Sequence, residues 1–285
     1  MCYTHCYTHN MKTIVAHIGP DLDAITAIWL VKSHFPGWEE AMIAFVPAGK
    51  TLNNAPPDEN PEIIHVDTGF GKYDHHQSDS DTCAAQLVYQ AIKETKGDDA
   101  SLTRMMAVVN EIDHFREVFY PNPTSDFWDF SLITQIDGWR LLYSDNPIKI
   151  VSLGMEALDG IYKSFQNKIW AESELKEKAV HFDSPWGKAF GIETTNDEVV
   201  HLGQKMGYNV VIRRDPKKGY VRIKSLPKDD IDLTTVYNTL KEKDSAATWF
   251  LHASRHMILN GSAKNPDMKP TTLSLNELIE ILKKS

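Results

Sequence analysis

Residues 17–25 read HIGPDLDAI. One histidine and two aspartates fall between the apolar runs TIVA (13–16) and ITAIWL (25–30). The first run is short and rich in β-branched residues, which predicts a strand ending at His17. The second lies within DAITAIWLVKSHF, whose helical spacing turns Ile25, Ile28, Trp29 and Val31 toward a core. A strand-to-helix junction therefore carries three side chains able to bind a metal. Taken alone, Asp21 and Asp23 are equally ordinary helix N-caps, so the surroundings must decide.

Working outward, the alternation continues. AMIAFVP (41–47) is strand-like, LNNAPPDENPE (52–62) is a loop, and IIHVDTG (63–69) is strand-like again. After GKYDHHQSDSDT (71–82) comes a helix, CAAQLVYQAIKET, with Ser80, Asp81 or Thr82 as its expected N-cap. It stops near KGDD (96–99). SLTRMMAVVNEIDHF (101–115) is a further helix, with Ser101 as the expected cap. Residues 150–180 are helical in pattern. Beyond them GKAFGIET, YNVVIRR and YVRIKS are strand-like, and DPKKG (215–219) joins the last two as a hairpin. The fold class is α/β: a mostly parallel sheet flanked by helices, followed by a smaller α+β C-terminal domain. The expected divisions are an extension over 1–11, a metal-binding catalytic domain over 12–150, a helical connector over 151–183, and a substrate-binding domain over 184–285.

Composition narrows the class. The chain has 285 residues, 42% hydrophobic and 24% charged, a globular balance. No apolar run is long enough for a membrane span. The start, MCYTHCYTHN, lacks the basic and apolar parts of a secretory signal. Three cysteines make no disulfide framework, so a cytoplasmic location is expected. A net charge of −9 argues against tight, sequence-independent duplex binding by the chain as a whole. The repeat CYTHCYTH supplies Cys2, His5, Cys6 and His9, all zinc-compatible types. It reads as a terminal extension with no core to fix a site.

In an open α/β sheet, ligands bind at the carboxyl ends of the strands. His17 ends the first predicted strand, and Asp21 and Asp23 follow it. Asp67 ends IIHVD. Asp74, His75 and His76 close GKYDHH. Asp113 lies on a later helix, beside His114. Carboxylates gathered at one sheet edge repel unless a cation compensates them. Mixed His and Asp ligands suit Mn²⁺, Mg²⁺, Fe²⁺ or Zn²⁺. There are enough for two ions with one carboxylate bridging. No G-x-S-x-G or P-loop pattern offers a covalent or nucleotide-cradling alternative.

In HIGPDLDA, in the lone aspartate of HVDTG and in DHH (74–76), in that order, the sequence resembles the DHH phosphoesterase superfamily. That superfamily includes RecJ-type exonucleases, oligoribonucleases, cyclic-dinucleotide phosphodiesterases and manganese inorganic pyrophosphatases. The likeness covers roughly residues 12–120. EIDHF (111–115) and WFLHASRHMILNGS (249–262) are similar to the narrower MYG family of DHH-like nucleases. PDLD departs from that family's first motif and is of the ordinary DHH type.

The resemblance implies one ion on His17, Asp21 and Asp67, and a second on Asp23, Asp67, His75 and Asp113. Asp74 would orient His75, and His76 would face the scissile phosphate. Two divalent ions are implied, Mn²⁺ first, with Co²⁺ or Mg²⁺ as alternatives. The implied substrate is a short nucleic acid or nucleotide, with no membrane partner and room for a homodimer. In the C-terminal domain, Arg213, Arg214, Lys217, Lys218, Arg222 and Lys224 form the most basic stretch. His252, Arg255, His256, Gly261 and Ser262 are the expected substrate contacts. The first alternative is a manganese-dependent inorganic pyrophosphatase. A non-hydrolytic nucleotide-binding regulator is an alternative of another class, opposed by the intact ligand at every motif position.

Overall fold

The computed structural model describes residues 11–262, 264–265 and 267–285. Cys2, His5, Cys6 and His9 lie outside them. The chain divides into two compact units, Met1–Phe165 and Gln166–Ser285.

The first unit contains β1 (Thr13–His17), α1 (Leu22–His34), β2 (Met42–Val46), β3 (Ile63–His65), α2 (Ala84–Lys96), α3 (Ala100–Asp113) and α4 (Leu132–Leu142). The long helix α5 (Pro147–Lys178) begins in it. The three strands form a parallel sheet in the order β2-β1-β3, with Thr13 opposite both Met42 and Ile63. Ile14, Val15 and Ala16 of the central strand have no solvent exposure, as a strand covered on both faces requires. Helix α1 is buried all round: every residue from Leu22 to Val31 is in the interior. Burial of each large aliphatic side chain contributes about 1.5–3 kcal/mol. The indole Nε1 of Trp29 donates to Asp159 Oδ1 at 2.8 Å.

The sheet register sets up the site. Because β1 and β3 run parallel, His17 and the residues just after His65 arrive at the same carboxyl edge. Val66 continues the pairing by donating to the Val15 carbonyl at 2.8 Å, and it also bridges to Tyr73. Asp67, Asp74 and the adjoining histidines are thereby held beside His17.

Two expected helix caps differ. Helix α3 is capped by Asp99, whose carboxylate accepts from the N–H groups of Ser101 and Leu102. Ser101 lies inside the helix. Helix α2 begins at Cys83, which makes no side-chain cap bond; Ser80, Asp81 and Thr82 do not cap it. Its cap comes from elsewhere in the chain and belongs to the site.

The second unit holds β4 (Val180–Ser184), β5 (Gly187–Glu193), α6 (Glu198–Lys205), β6 (Val210–Arg214), β7 (Val221–Ser225), α7 (Thr234–Lys243), β8 (Phe250–Leu251), β9 (Met257–Asn260) and α8 (Leu275–Lys283). They form one mixed sheet in the order β4-β5-β6-β7-β9-β8. Strands β5 and β6 are parallel and the other pairs antiparallel. The DPKKG turn closes the β6–β7 hairpin as the sequence predicts. Alternation along β6 sends Val210 and Ile212 into one core with α7 and α8, and Val211 into another with α6. Among the described residues no helix is long and apolar enough to cross a membrane.

Candidate metal centre

The turn after β1 is shaped by its backbone. Gly19 takes a left-handed φ of 73°, which lets the chain reverse into α1. Asp21 then serves as N-cap of α1: its Oδ1 accepts from the Ala24 N–H at 3.0 Å. Its Oδ2 stands 3.7 Å from His17 Nε2. His17 places Nδ1 on the Ile18 carbonyl at 3.1 Å and so turns Nε2 inward. One oxygen of Asp21 thus serves the helix and the other faces the site.

Asp67 lies at the centre. It is 4% exposed and adopts a left-handed φ of 55°, an uncommon conformation for a residue with a side chain. Its Oδ2 lies 3.1 Å from His17 Nε2. Its Oδ1 lies 3.5 Å from His75 Nε2 and 3.7 Å from His76 Nδ1. The two oxygens therefore face two different histidine clusters. Asp113, the last residue of α3, puts Oδ2 3.5 Å from His75 Nε2.

Asp23 has two tasks. Its side chain is buried, with Oδ2 3.9 Å from His75 Nε2. The same carboxylate accepts from Ala84 and Ala85 N–H, both at 2.8 Å, and so caps α2 from 61 residues away. Nothing local in the sequence marks that pairing.

Asp74 differs from expectation. Its Oδ1 accepts from the His76 N–H and lies 2.7 Å from His76 Nδ1, while Oδ2 accepts from the Phe70 N–H at 2.7 Å. It orients His76, not His75. The reason is local: the chain at Asp74–His76 brings the imidazole two residues on against the carboxylate, while His75 turns its Nε2 to Asp67, Asp113 and Asp23. Held at Nδ1, the His76 side chain is 55% exposed and leaves Nε2 free toward a cleft of about 460 Å³. His17, Asp21, Asp67 and Asp113 line the same cleft, with Gly49 and Phe70.

The side chains fall into three overlapping ligand groups: His17–Asp21–Asp67, Asp23–His75–Asp113 and Asp67–His75–His76. Within each group one ligand atom per residue lies within 4.8 Å of the others, close to the spacing about a common ion. Two buried atoms, Asp67 Oδ1 and His75 Nε2, have no hydrogen-bond partner. They lie 3.5 Å apart without hydrogen-bond alignment. Orphaned acceptors and donors of this kind are costly, and a shared cation would satisfy both.

The electrostatics agree. Burial, the largest influence on His17, pushes its pKa down, but Asp21 and Asp67 together outweigh it and raise it to about 10. Asp67, aided by Asp113 and Asp23, raises His75 to about 9 against the effect of burial. Asp23 is raised well above the usual carboxylate range by burial, then by the charges of Asp67 and Asp113. Asp113 is raised by burial and by Asp67, and His75 opposes this. Carboxylates and histidines whose pKa values are raised together both signal an excess of negative charge. A divalent cation is the group these residues fit. The cluster thus defines a class of site: a His/Asp centre for divalent ions at the carboxyl edge of a parallel sheet.

The expected substrate residues of the second unit are not gathered in one place. His252, Arg255 and His256 sit in the turn between β8 and β9. Gly261 and Ser262 follow the other end of β9, about 13 Å along the strand. Arg255, left-handed at φ 60°, pairs with Asp232 at 3.0 Å. His256 Nδ1 lies 3.2 Å from Ser225 Oγ, and His252 Nδ1 lies 2.8 Å from Ser254 Oγ. Ser262 Oγ accepts from the Lys264 N–H. Gly261 is explained by packing: a Cβ there would come within 2.0 Å of the Tyr220 ring. The three arginines of the basic stretch are paired within their own unit. Arg213 and Arg222 share Asp197, and Arg214 pairs with Glu193.

One residue near the centre had no sequence signal. Arg140 on α4 donates to the carbonyls of Gly19 and Pro20 and to Asp137. It clamps the turn that presents His17 and Asp21, and its charge helps hold Asp21 low.

No family model matches the chain, and no curated protein matches it. Among solved structures, it is similar to RecJ in complex with Mg²⁺ from Thermus thermophilus, at 12% identity and a TM-score of 0.33. That match covers 96% of this chain and 49% of the other, so the chain spans about half the length of that RecJ. It is also similar to an exopolyphosphatase-related protein from Bacteroides fragilis, at 11% identity and a TM-score of 0.24, covering 96% of this chain and 91% of that one. Scores this low leave the reading of the site to its own geometry.

Proposed function

We propose that this protein is a divalent-metal-dependent phosphoesterase that hydrolyses a phosphodiester bond in a short oligonucleotide or small nucleotide. The observation that carries the reading is Asp67. Its two oxygens face separate ligand groups, and one of them is buried without a partner beside an equally orphaned His75 Nε2. His17, Asp21 and Asp67 would hold one ion, and Asp23, His75 and Asp113 a second, with Asp67 shared. Two such cations supply a water of lowered pKa and neutralise charge on the phosphate oxygens.

The chain's own residues do the rest. Asp74 fixes the His76 ring at Nδ1, which positions the ring at the cleft as the candidate proton donor to a departing oxygen. Arg140 keeps the HIGPD turn in place. Mixed imidazole and carboxylate ligands favour Mn²⁺ or Co²⁺ over Mg²⁺. In the second unit, Arg255 and His252 are the proposed contacts to a further phosphate, with His256, Gly261 and Ser262 in supporting roles. Pyrophosphate, small and multiply charged, demands several uncommitted cations. Pairing with Asp197 and Glu193 takes Arg213, Arg214 and Arg222 out of that role and supports a diester, while Lys217, Lys218 and Lys224 keep pyrophosphate as the second reading.

The test is a panel with Mn²⁺, Co²⁺, Mg²⁺ and Ca²⁺ against bis-p-nitrophenyl phosphate, pyrophosphate, short RNA and cyclic dinucleotides. Turnover of a diester with Mn²⁺ or Co²⁺, less with Mg²⁺ and none with Ca²⁺, is expected. Turnover of pyrophosphate alone would establish the pyrophosphatase. Two bound ions with no turnover of any substrate would leave a binding protein.

A further inference from the structure

A second cavity of about 440 Å³ lies in the first unit, bounded by α3, residues 117–131, α4 and the first half of α5. Its depth is aliphatic, with Leu22, Met105, Ile112 and Leu158. Tyr120 and Trp128, rings 5.5 Å apart, make one aromatic wall. A smaller space of about 290 Å³ shares Leu22, Val109, Ile112, Ile133 and Asp137 with it, and is also lined by Asp21, Asp23 and Asp113. The shared walls put the two spaces side by side, the smaller one next to the metal centre.

One polar atom in the cavity lacks what it needs. Glu117 is on the wall, and its Oε2 is buried with no hydrogen-bond partner. The neighbouring guanidinium, Arg116, is committed to Asp81 and Glu111. Asp129 and Asp137 also face the cavity. The lining therefore offers acceptors and negative charge, which exclude a phosphate. The aliphatic depth disfavours a hydrated cation. Tyr120 and Trp128 pack on each other instead of caging a charge, so cation–π binding is weak there. A flat ring with apolar faces and an N–H at its edge meets all of these conditions. The volume lies in the roughly 300–1,000 Å³ range of small-molecule sites.

We propose that this cavity is a base-binding subsite, in which Glu117 accepts a hydrogen bond from the exocyclic amine of an adenine-type nucleobase whose phosphate is held at the metal centre. The placing of the phosphate rests on the function proposed above; the base pocket rests on the cavity alone.

The experiment is calorimetric titration of the full chain with adenosine, with purine riboside (the same ring without the amine) and with choline. Wild type is expected to bind adenosine about tenfold more tightly than purine riboside, a preference of the kind one buried hydrogen bond supplies. Glu117→Leu should erase that preference. Val108→Trp, at a partly exposed lining position that tolerates bulk, should weaken both nucleosides at least about tenfold. Circular dichroism checks that each variant is folded. Equal binding of the two nucleosides, adenosine binding untouched by either variant, or preference for choline would each overturn the subsite. The two readings fail separately. Adenosine binding with this pattern in a protein that hydrolyses no phosphate ester keeps the pocket and removes the phosphoesterase. Diester hydrolysis without adenosine binding does the reverse.

Discussion

The two units treat charge in opposite ways. At the carboxyl edge of the first sheet, Asp21, Asp23, Asp67 and Asp113 crowd three histidines, and buried atoms there are left without partners. In the second unit, Arg213, Arg214 and Arg222 each have a carboxylate of their own unit within 3.2 Å. A cluster that satisfies itself is structural. One that cannot is built for a charge supplied from outside the chain.

The largest expected effect comes from removing the shared ligand. Asp67→Ala should lower diester turnover at least about a hundredfold, since loss of even an outer-shell partner can cost that much. Bound metal, measured by elemental analysis, should fall below one ion per chain. In the metal-stripped variant two effects oppose each other: relief of the charge that raises Asp23, and loss of the partner that raises His17 and His75. Retention of two ions in the variant would break the comparison at its first half.

Next is pH. His17 at about 10 and His75 at about 9 carry protons at neutral pH and must lose them to ligate a metal. Metal affinity should therefore rise with pH between 6 and 9, up to about a hundredfold per unit if both protons leave. Calorimetry in two buffers of different ionisation enthalpy counts the protons released. In the stripped protein the sign is opposite. Both folded pKa values lie above the ordinary 6.5, so the stability they contribute is full below pH 6.5 and is lost as pH rises through about 9 and 10. A pH-independent metal affinity would show that these imidazoles are not ligands.

Asp23 sharpens the contrast, since it serves both the centre and the fold. Asp23→Ala removes the cap of α2 and should destabilise the protein by about 1–3 kcal/mol in urea melts even with chelator present. Asp67→Ala leaves this cap in place. Wild-type stability in Asp23→Ala would mean that the Ala84 and Ala85 N–H groups find another acceptor.

The smallest effect belongs to the other unit. Arg255 is exposed and pairs with an exposed Asp232. Arg255→Ala should cost under about 1 kcal/mol of stability and leave both metals bound. If Arg255 holds a further phosphate, KM should rise for a dinucleotide and stay put for bis-p-nitrophenyl phosphate. A loss of metal in this variant would place Arg255 in the centre and erase the contrast between the units.

Much of this was legible in the sequence because it is set by neighbours in the chain. Turn chemistry and side-chain spacing fix His17, Asp21 and the DHH run at the ends of elements. The period-2 pattern of YNVVIRR and YVRIKS fixes a hairpin. Sequence could not choose partners. That Asp23 caps α2, that Asp74 turns to His76, and that Asp197 takes up Arg213 and Arg222 depend on which segments meet in space. The same holds for Arg140, which reaches Gly19 from α4, and for the cavity beneath Glu117. It also holds for β9, whose length separates His252, Arg255 and His256 from Gly261 and Ser262. Periodicity and turn residues act over a few positions, whereas a hydrogen bond or a shared ion needs only that two atoms be close. The sequence determined which residues stand at the sheet edge; only the tertiary structure decided which of them already have a partner and which do not.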